Sequence, residues 1–383
     1  MLTSWVLKFY LLNFAKNNQT ERAVLGLYLP LKYTRQWLQM LASITMAHFI
    51  RTCVVMLIVW IPLNSFAQSS KKSIFQSLTA EEMPKISLEL DLTTVIANKK
   101  TNTYFPATLV ADNGKKYELE VKSRGKYRRK TCEFPPLKLK FKKKNLKAEG
   151  LDTLNEIKLI LPCFENDRGD ELLVKEYIAY KMFESVSNEV CVKVKLIKLT
   201  IVDSHTGKKH DVLAMLAEDE EETSARLNAP TVEQYGLPLD SMQINQLAMV
   251  IMFEYMIGNT DWDISMIRNV RTLRTNEAGK IVVIPYDFDF SGFVSAPYAS
   301  PSSDSGLKTV RDRFLYSNGL SQEHLRRATK RLLLARKDFI GLCRHKYLPR
   351  NEQQAIIDYI ESFFSKAESV QDMPARMQAP PTD

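Results

Sequence analysis

From Ile86 to Ala217 apolar and polar residues mostly alternate along the chain, and from Leu239 onward apolar residues recur at helical spacing. Ile86, Leu88, Leu90 and Leu92 alternate with Ser87, Glu89, Asp91 and Thr93, the mark of a half-buried strand. Ala107–Ala111 and Lys115–Lys122 flank Asp112-Asn113-Gly114, whose residues tolerate positive φ, so this stretch predicts a hairpin. Leu137, Leu139 and Phe141 alternate with Lys138 and Lys140, and Glu156–Leu161 continues the series. A helix is predicted from Asp170, as N-cap, to Ser185. Val190–Val202 and Asp211–Ala217 predict strands around Thr206-Gly207. Ser241–Ile257, Ser321–Tyr347 and Asn351–Glu368 predict helices, the last two separated by Pro349.

The expected organisation is a β-rich segment over 86–217 and a helical segment over 218–370, followed by a Pro-rich tail at 371–383. Ahead of them, residues 68–85 predict a polar linker. Residues 46–67 have the three parts of a secretory signal peptide: Arg51, the apolar run from Cys53 to Leu63, and small Ser65 and Ala67 before Gln68. The run is shorter than the roughly 20 residues that cross a bilayer. The expectation is therefore export to the periplasm or cell surface. The alternative is an uncleaved inner-membrane anchor over 46–63, the one expected membrane contact. A second methionine, Met46, sits where a leader would begin, which makes 1–45 a doubtful extension.

Composition adds two limits. The formal charge is +9, but residues 1–67 carry six Lys/Arg and one Glu; the remainder has 47 basic and 43 acidic residues. That balance is too mild to predict nucleic-acid binding. Cys132, Cys163, Cys191 and Cys343 are widely spaced with no CxxC, which predicts buried thiols or one disulfide rather than a metal cluster.

Three segments carry candidate chemistry. VKSRGKYRRKTCEFPPLKLKFKKK, Val121–Lys144, gathers Lys122, Arg124, Lys126, Arg128, Arg129 and Lys130 around Gly125, then places Lys138 and Lys140 on a strand. Clustered cations with backbone amides near a glycine suit polyphosphate; a solvated basic face would read the same. YMIGNTDWDISMIRN, Tyr255–Asn269, sets Asp261, Asp263 and Asn269 just beyond an apolar helix, where an aspartate can orient a hydroxyl and an asparagine can hold a metal. Turn-forming Asx residues are the plain alternative. IVVIPYDFDFSG, Ile281–Gly292, ends an apolar strand on Asp287, with Asp289 beyond, a placement suited to Mg²⁺ on a nucleotide.

SRGKYRR, PPLKLKF, GNTDWD and IPYDFDFSG, in this order, resemble the CotH group of kinase-like proteins. That group pairs an Arg-Gly loop and a lysine-bearing strand with an N-x-D loop and a strand ending P-[WY]-D-x-D. The resemblance covers roughly Lys122 to Gly292. It implies an α+β chain with a two-lobed, protein-kinase-like fold, a small β-rich N-lobe and a larger helical C-lobe. It implies ATP and Mg²⁺ as cofactors, a protein or other hydroxyl acceptor, and transfer of a phosphoryl group. Asp261 matches the catalytic-loop aspartate and Asp287 the metal-binding aspartate. Lys140, or else Lys138, matches the phosphate-pairing lysine; both face one side of the strand. Arg124 and Gly125 fall in the phosphate loop. Asn269 and Asp289 are further candidate metal ligands, and Glu176 is the candidate partner of the lysine. One departure stands out. Asn269 follows Asp261 by eight residues, where a kinase loop uses about five. Two rivals follow: an inactive binding or assembly module of the cell envelope, and a metal-dependent hydrolase using Asp261, Asp263 and Asp287.

Overall fold

The computed structural model describes residues 71–276 and 279–369. The expected leader, the doubtful extension and the tail lie outside the described residues.

Seven strands form the first layer: β1 Lys85–Leu90, β2 Phe105–Val110, β3 Lys116–Ser123, β4 Leu137–Phe141, β5 Glu156–Ile160, β6 Val194–Asp203 and β7 Lys209–Glu218. They close into a barrel in the order β1-β2-β3-β4-β5-β7-β6. Neighbours pair antiparallel except at the seam, where β1 runs parallel to β6 with Leu88 opposite Ile201. Alternation fills the interior: Leu88, Leu109, Leu119, Leu137, Leu139, Leu159, Ile197 and Leu216 share one core cluster.

This closure corrects the expected two-lobed kinase plan, while the α+β composition stands. A barrel replaces a small open sheet lobe because β1 takes β6 as a second partner. The strands after the first long helix complete the barrel. Around the paired Leu196 and Met215, β6 and β7 are buried on both faces. Ile197, Leu199, Ala214 and Leu216 point into the barrel cluster, whereas Val194, Leu196, Met215 and Ala217 belong to the helical core.

That second core is built by α2 Asp167–Val186, α3 Ile244–Ile257, α4 Gln322–Leu334, α5 Arg336–Cys343 and α6 Arg350–Ser369, with the hairpin of β8 Val270–Arg274 and β9 Ile281–Pro285. α3 is buried from Leu247 to Ile257, because its residues are apolar on nearly every side. It stops at Gly258, whose φ of +66° lets Asn259 turn back and donate to the Glu254 carbonyl at 2.9 Å. α2 begins three residues before Asp170, because Asn166 accepts the Gly169 N–H at 3.0 Å and caps it. The predicted Ser321–Tyr347 helix is two helices meeting at Ala335. Among the described residues no helix is long and apolar enough to cross a membrane.

Candidate functional site

The loop that leaves α3 carries Asp261. Asn259, 1% exposed, turns its side-chain oxygen toward the loop and accepts the Asp261 N–H at 3.0 Å. The chain then makes a tight turn in which Asp263 and Arg268 exchange backbone hydrogen bonds at 3.0 and 2.8 Å. Asn269, with φ +53°, brings its amide back to the Asp261 carboxylate at 2.9 Å. The Arg268 Nε lies 3.6 Å from the same carboxylate. Burial pushes the Asp261 acid above its usual range; Arg268 pulls it down, Asp287 pushes it up, and the Asn269 hydrogen bond lowers it.

β9 is buried along its whole length and delivers Asp287 at its end. Asp287 sits in the left-handed region, φ +68° and ψ +62°, and its N–H donates to the Tyr180 hydroxyl of α2 at 2.8 Å. A non-glycine residue held there is strained, a condition found at sites where geometry is over-determined. The following turn buries Asp289, which accepts from the Tyr298 hydroxyl at 3.1 Å. From α2, Glu176 projects into the same place at 1% exposure.

One carboxylate oxygen from each of Glu176, Asp287 and Asp289 lies within 4.8 Å of the others. Three carboxylates this close, two of them buried, repel one another. Burial and then Asp287 drive the Asp289 acid well above its ordinary value, and burial drives Glu176 up, against the pull of Arg128. Arg128 is the resident counter-charge. It belongs to α1, a short helix over Arg128–Thr131. Its guanidinium donates to Glu176 at 2.9 Å and to the Leu161 carbonyl at 2.9 Å, and its Nε lies 3.9 Å from Asp289. The Cys132–Cys163 disulfide fastens the end of this turn to the segment after β5. Cys191 and Cys343 are buried free thiols.

Asp287 and Asp289 open onto a cavity of about 600 Å³ that also receives Asp261, Asn269, Arg124 and Gly125. Gly125 has φ +83°, which carries the chain over the cavity mouth without side-chain strain. Among the described residues no carboxylate pairs with Arg124 or Lys126, both of which line the cavity. The donor set fits a hard divalent cation. All three acids offer oxygen, and the Glu176 Oε1 is buried without a hydrogen-bond partner among the described residues. Asn269 spends its amide hydrogens on Asp261, which leaves its oxygen as the atom it could offer.

The structure brings Asp261, Asn269, Asp287, Asp289, Glu176, Arg124 and Gly125 to this place. It sets Lys138 and Lys140 elsewhere. Lys138 bonds Glu156 at 2.6 Å and lies 3.3 Å from Asp219, while the Lys140 ammonium sits 5.0 Å over the Tyr104 ring. Both lysines point outward from β4, whose other residues fill the barrel. Glu176 pairs with Arg128 rather than with a lysine.

Sequence reasoning passed over Lys158. It faces Lys138 across β4 and β5, contacts Glu220, and lies 5.2 Å over the Tyr286 ring that walls the cavity. Burial and the Arg271 and Arg124 charges push its ammonium down to about 7. A lone lysine in the apolar run EIKLI was its signal. Arg128 had none, since its neighbours are equally basic.

No protein-family model and no curated protein matches the chain. Among solved structures it is similar to the proinflammatory kinase CtkA of Helicobacter pylori, with a TM-score of 0.31 and 8% identity over 55% of this chain and 86% of that one. At that distance neither fold nor function is transferred.

Proposed function

We propose that this protein is an exported, CotH-like phosphotransferase that moves a phosphoryl group from ATP, with Mg²⁺, to a hydroxyl acceptor. The observation that carries the reading is the convergence of Glu176, Asp287 and Asp289 within 4.8 Å of one another, with Asp287 and Asp289 lining one cavity with Asp261 and Arg124. Phosphoryl transfer needs little covalent help from protein, chiefly positioning and charge neutralisation. Asp287 and Asp289 would hold Mg²⁺, with Glu176 or the Asn269 oxygen completing the set. The ion would supply neutralisation of the phosphate charge. Arg124 and the backbone around Gly125 bind phosphate oxygens. Asp261 orients the acceptor hydroxyl and takes its proton as the new O–P bond forms and the β,γ-bridging bond breaks, releasing ADP. The buried Cys132–Cys163 disulfide supports export, because such bonds persist in oxidising compartments.

A second reading rests on Arg128. It already compensates part of the acidic charge, so the cluster can be a structural ion network and the protein an inactive binding module of the cell envelope. Calorimetric titration of the purified chain with ATP, with and without Mg²⁺, separates the two. Mg²⁺-dependent binding followed by transfer supports the enzyme; no ATP binding under either condition sinks it.

A further inference from the structure

Four large hydrophobic side chains stand exposed among the described residues, and three of them, Tyr127, Tyr235 and Met266, rim the cavity that holds Asp261. Exposed apolar groups scattered singly carry no message, but a cluster around one opening marks a contact surface. Tyr235 is 70% exposed and Met266 65%. Neither is loosely held. Met266 crowns the turn closed by Asp263 and Arg268, and its N–H donates to the Asp263 carboxylate at 2.8 Å. The Gly236 N–H donates to the Ser265 carbonyl at 3.0 Å, which ties the Tyr235 loop to that turn. The backbone that carries both apolar groups is thus held in the wall of the cavity that Asp261 also lines.

The same rim is cationic. Lys126 is exposed and lacks a carboxylate partner among the described residues, and the Arg268 side chain is 45% exposed at 3.6 Å from Asp261. Asp287 and Asp289 line the same cavity. A ligand that rests on the rim therefore meets apolar surface and positive charge together.

We propose that this rim docks an acidic polypeptide segment, whose apolar side chains rest on Tyr235 and Met266 and whose carboxylates pair with Lys126 and Arg268. The inference names the acceptor class for the phosphotransferase reading and rests on that reading for its purpose, though not for its binding. A polypeptide suits the rim better than a nucleic acid. A thioether such as Met266 adapts to irregular aliphatic side chains, whereas bases stack on flat rings along a basic groove. A peptide also carries the hydroxyl that Asp261 would orient.

The test uses fluorescence anisotropy with the full chain and three labelled probes: a peptide of Glu, Leu and Ser, the same peptide with Lys for Glu, and a deoxythymidine oligomer. The acidic peptide should bind in preference to both. Tyr235→Ala/Met266→Ala should weaken it about tenfold or more, and Lys126→Glu should weaken it further at low salt than at high salt. Affinity for Mg²⁺-ATP should fall less than affinity for the acidic peptide in the double variant. Equal or tighter binding of the basic peptide or the oligomer overturns the proposal, as does an unaltered double variant or no binding of any probe. If ATP fails to bind the wild-type chain while the acidic peptide still depends on Tyr235 and Met266, the docking surface stands and the phosphotransferase reading falls.

Discussion

The side-chain amide of Asn269 donates to the Asp261 carboxylate at 2.9 Å and to the Asp261 carbonyl at 2.6 Å. Eight residues separate the two, and the pair closes the loop between them. Ile267 and Asn269 both take positive φ to make that return. The longer spacing is thus absorbed by a tight Asp263–Arg268 turn, and the asparagine still arrives beside the aspartate.

The electrostatics of that pair give a pH prediction. A base must be deprotonated to accept a proton, so the rate should rise with pH through the Asp261 pKa. Burial sets that rise above the ordinary aspartate value of 3.8. Arg268 favours the charged form, so Arg268→Ala should move the rising limb to higher pH. A pH profile of kcat/KM for both proteins checks this. A limb that stays in place, or moves to lower pH, excludes Asp261 as the group being titrated.

Exchanging the two aspartates for asparagine should separate binding from chemistry. Asp287→Asn keeps volume but loses the charge that a hard cation prefers, so Mg²⁺-dependent ATP affinity should fall at least about tenfold. Asp261→Asn should leave that affinity nearly intact and lower the transfer rate at least about a hundredfold. Titration calorimetry, a transfer assay and thermal melts on both variants read the outcome. Equal losses of melting temperature with no split between binding and transfer would assign both acids to folding alone.

Much of the site was legible because local rules place it. The alternation in LKLKF is the inside and outside of β4, and the apolar run IVVIP is a strand that ends on Asp287. The barrel seam was not legible. β1 and β6 lie over a hundred residues apart, and parallel pairing leaves no local pattern. The partners of Lys138 and Lys140 were hidden for the same reason: a lysine on the outer face of a strand reads alike whether it faces a phosphate, Glu156 or the Tyr104 ring. Glu176 shares its helix with Glu171 and Glu184, and only packing shows that it is the one turned toward Asp287.

Arg128 offers a stability prediction with a pH sign. Arg128→Met leaves Glu176 and Asp289 buried without their guanidinium, and breaking a buried pair in this way costs about 3–5 kcal/mol at neutral pH. Both acids already have folded-state pKa values raised above the unfolded ones. Removing the cation raises them further, so the folded state gains protons and its stability is lost as pH rises. Urea unfolding should show a large loss at pH 8 and a smaller one near pH 4. A loss that is independent of pH would mean the substitution acts through packing and not through charge.

The last prediction concerns the joint between the two acidic loops. The Gly292 N–H donates to the Gly258 carbonyl at 3.0 Å, and the Tyr359 hydroxyl of α6 is buried beside both without a hydrogen-bond partner among the described residues. A Cβ on Gly258 would lie 2.0 Å from that hydroxyl, and one on Gly292 would lie 2.3 Å from it and 2.5 Å from the Val310 carbonyl. Gly258→Ala should therefore cost about 2–4 kcal/mol, from positive φ and overpacking together. Tyr359→Phe alone should cost little, because it removes a hydroxyl that bonds nothing. Combined with Gly258→Ala it should recover about 1 kcal/mol or more, leaving the cost of the φ of +66°. It should recover little with Gly292→Ala, where the Val310 carbonyl still blocks the methyl group. Urea unfolding of the two double-mutant cycles reads the difference. Equal rescue at both glycines would show that Val310 yields, and no rescue at Gly258 would show that the hydroxyl is not the obstacle.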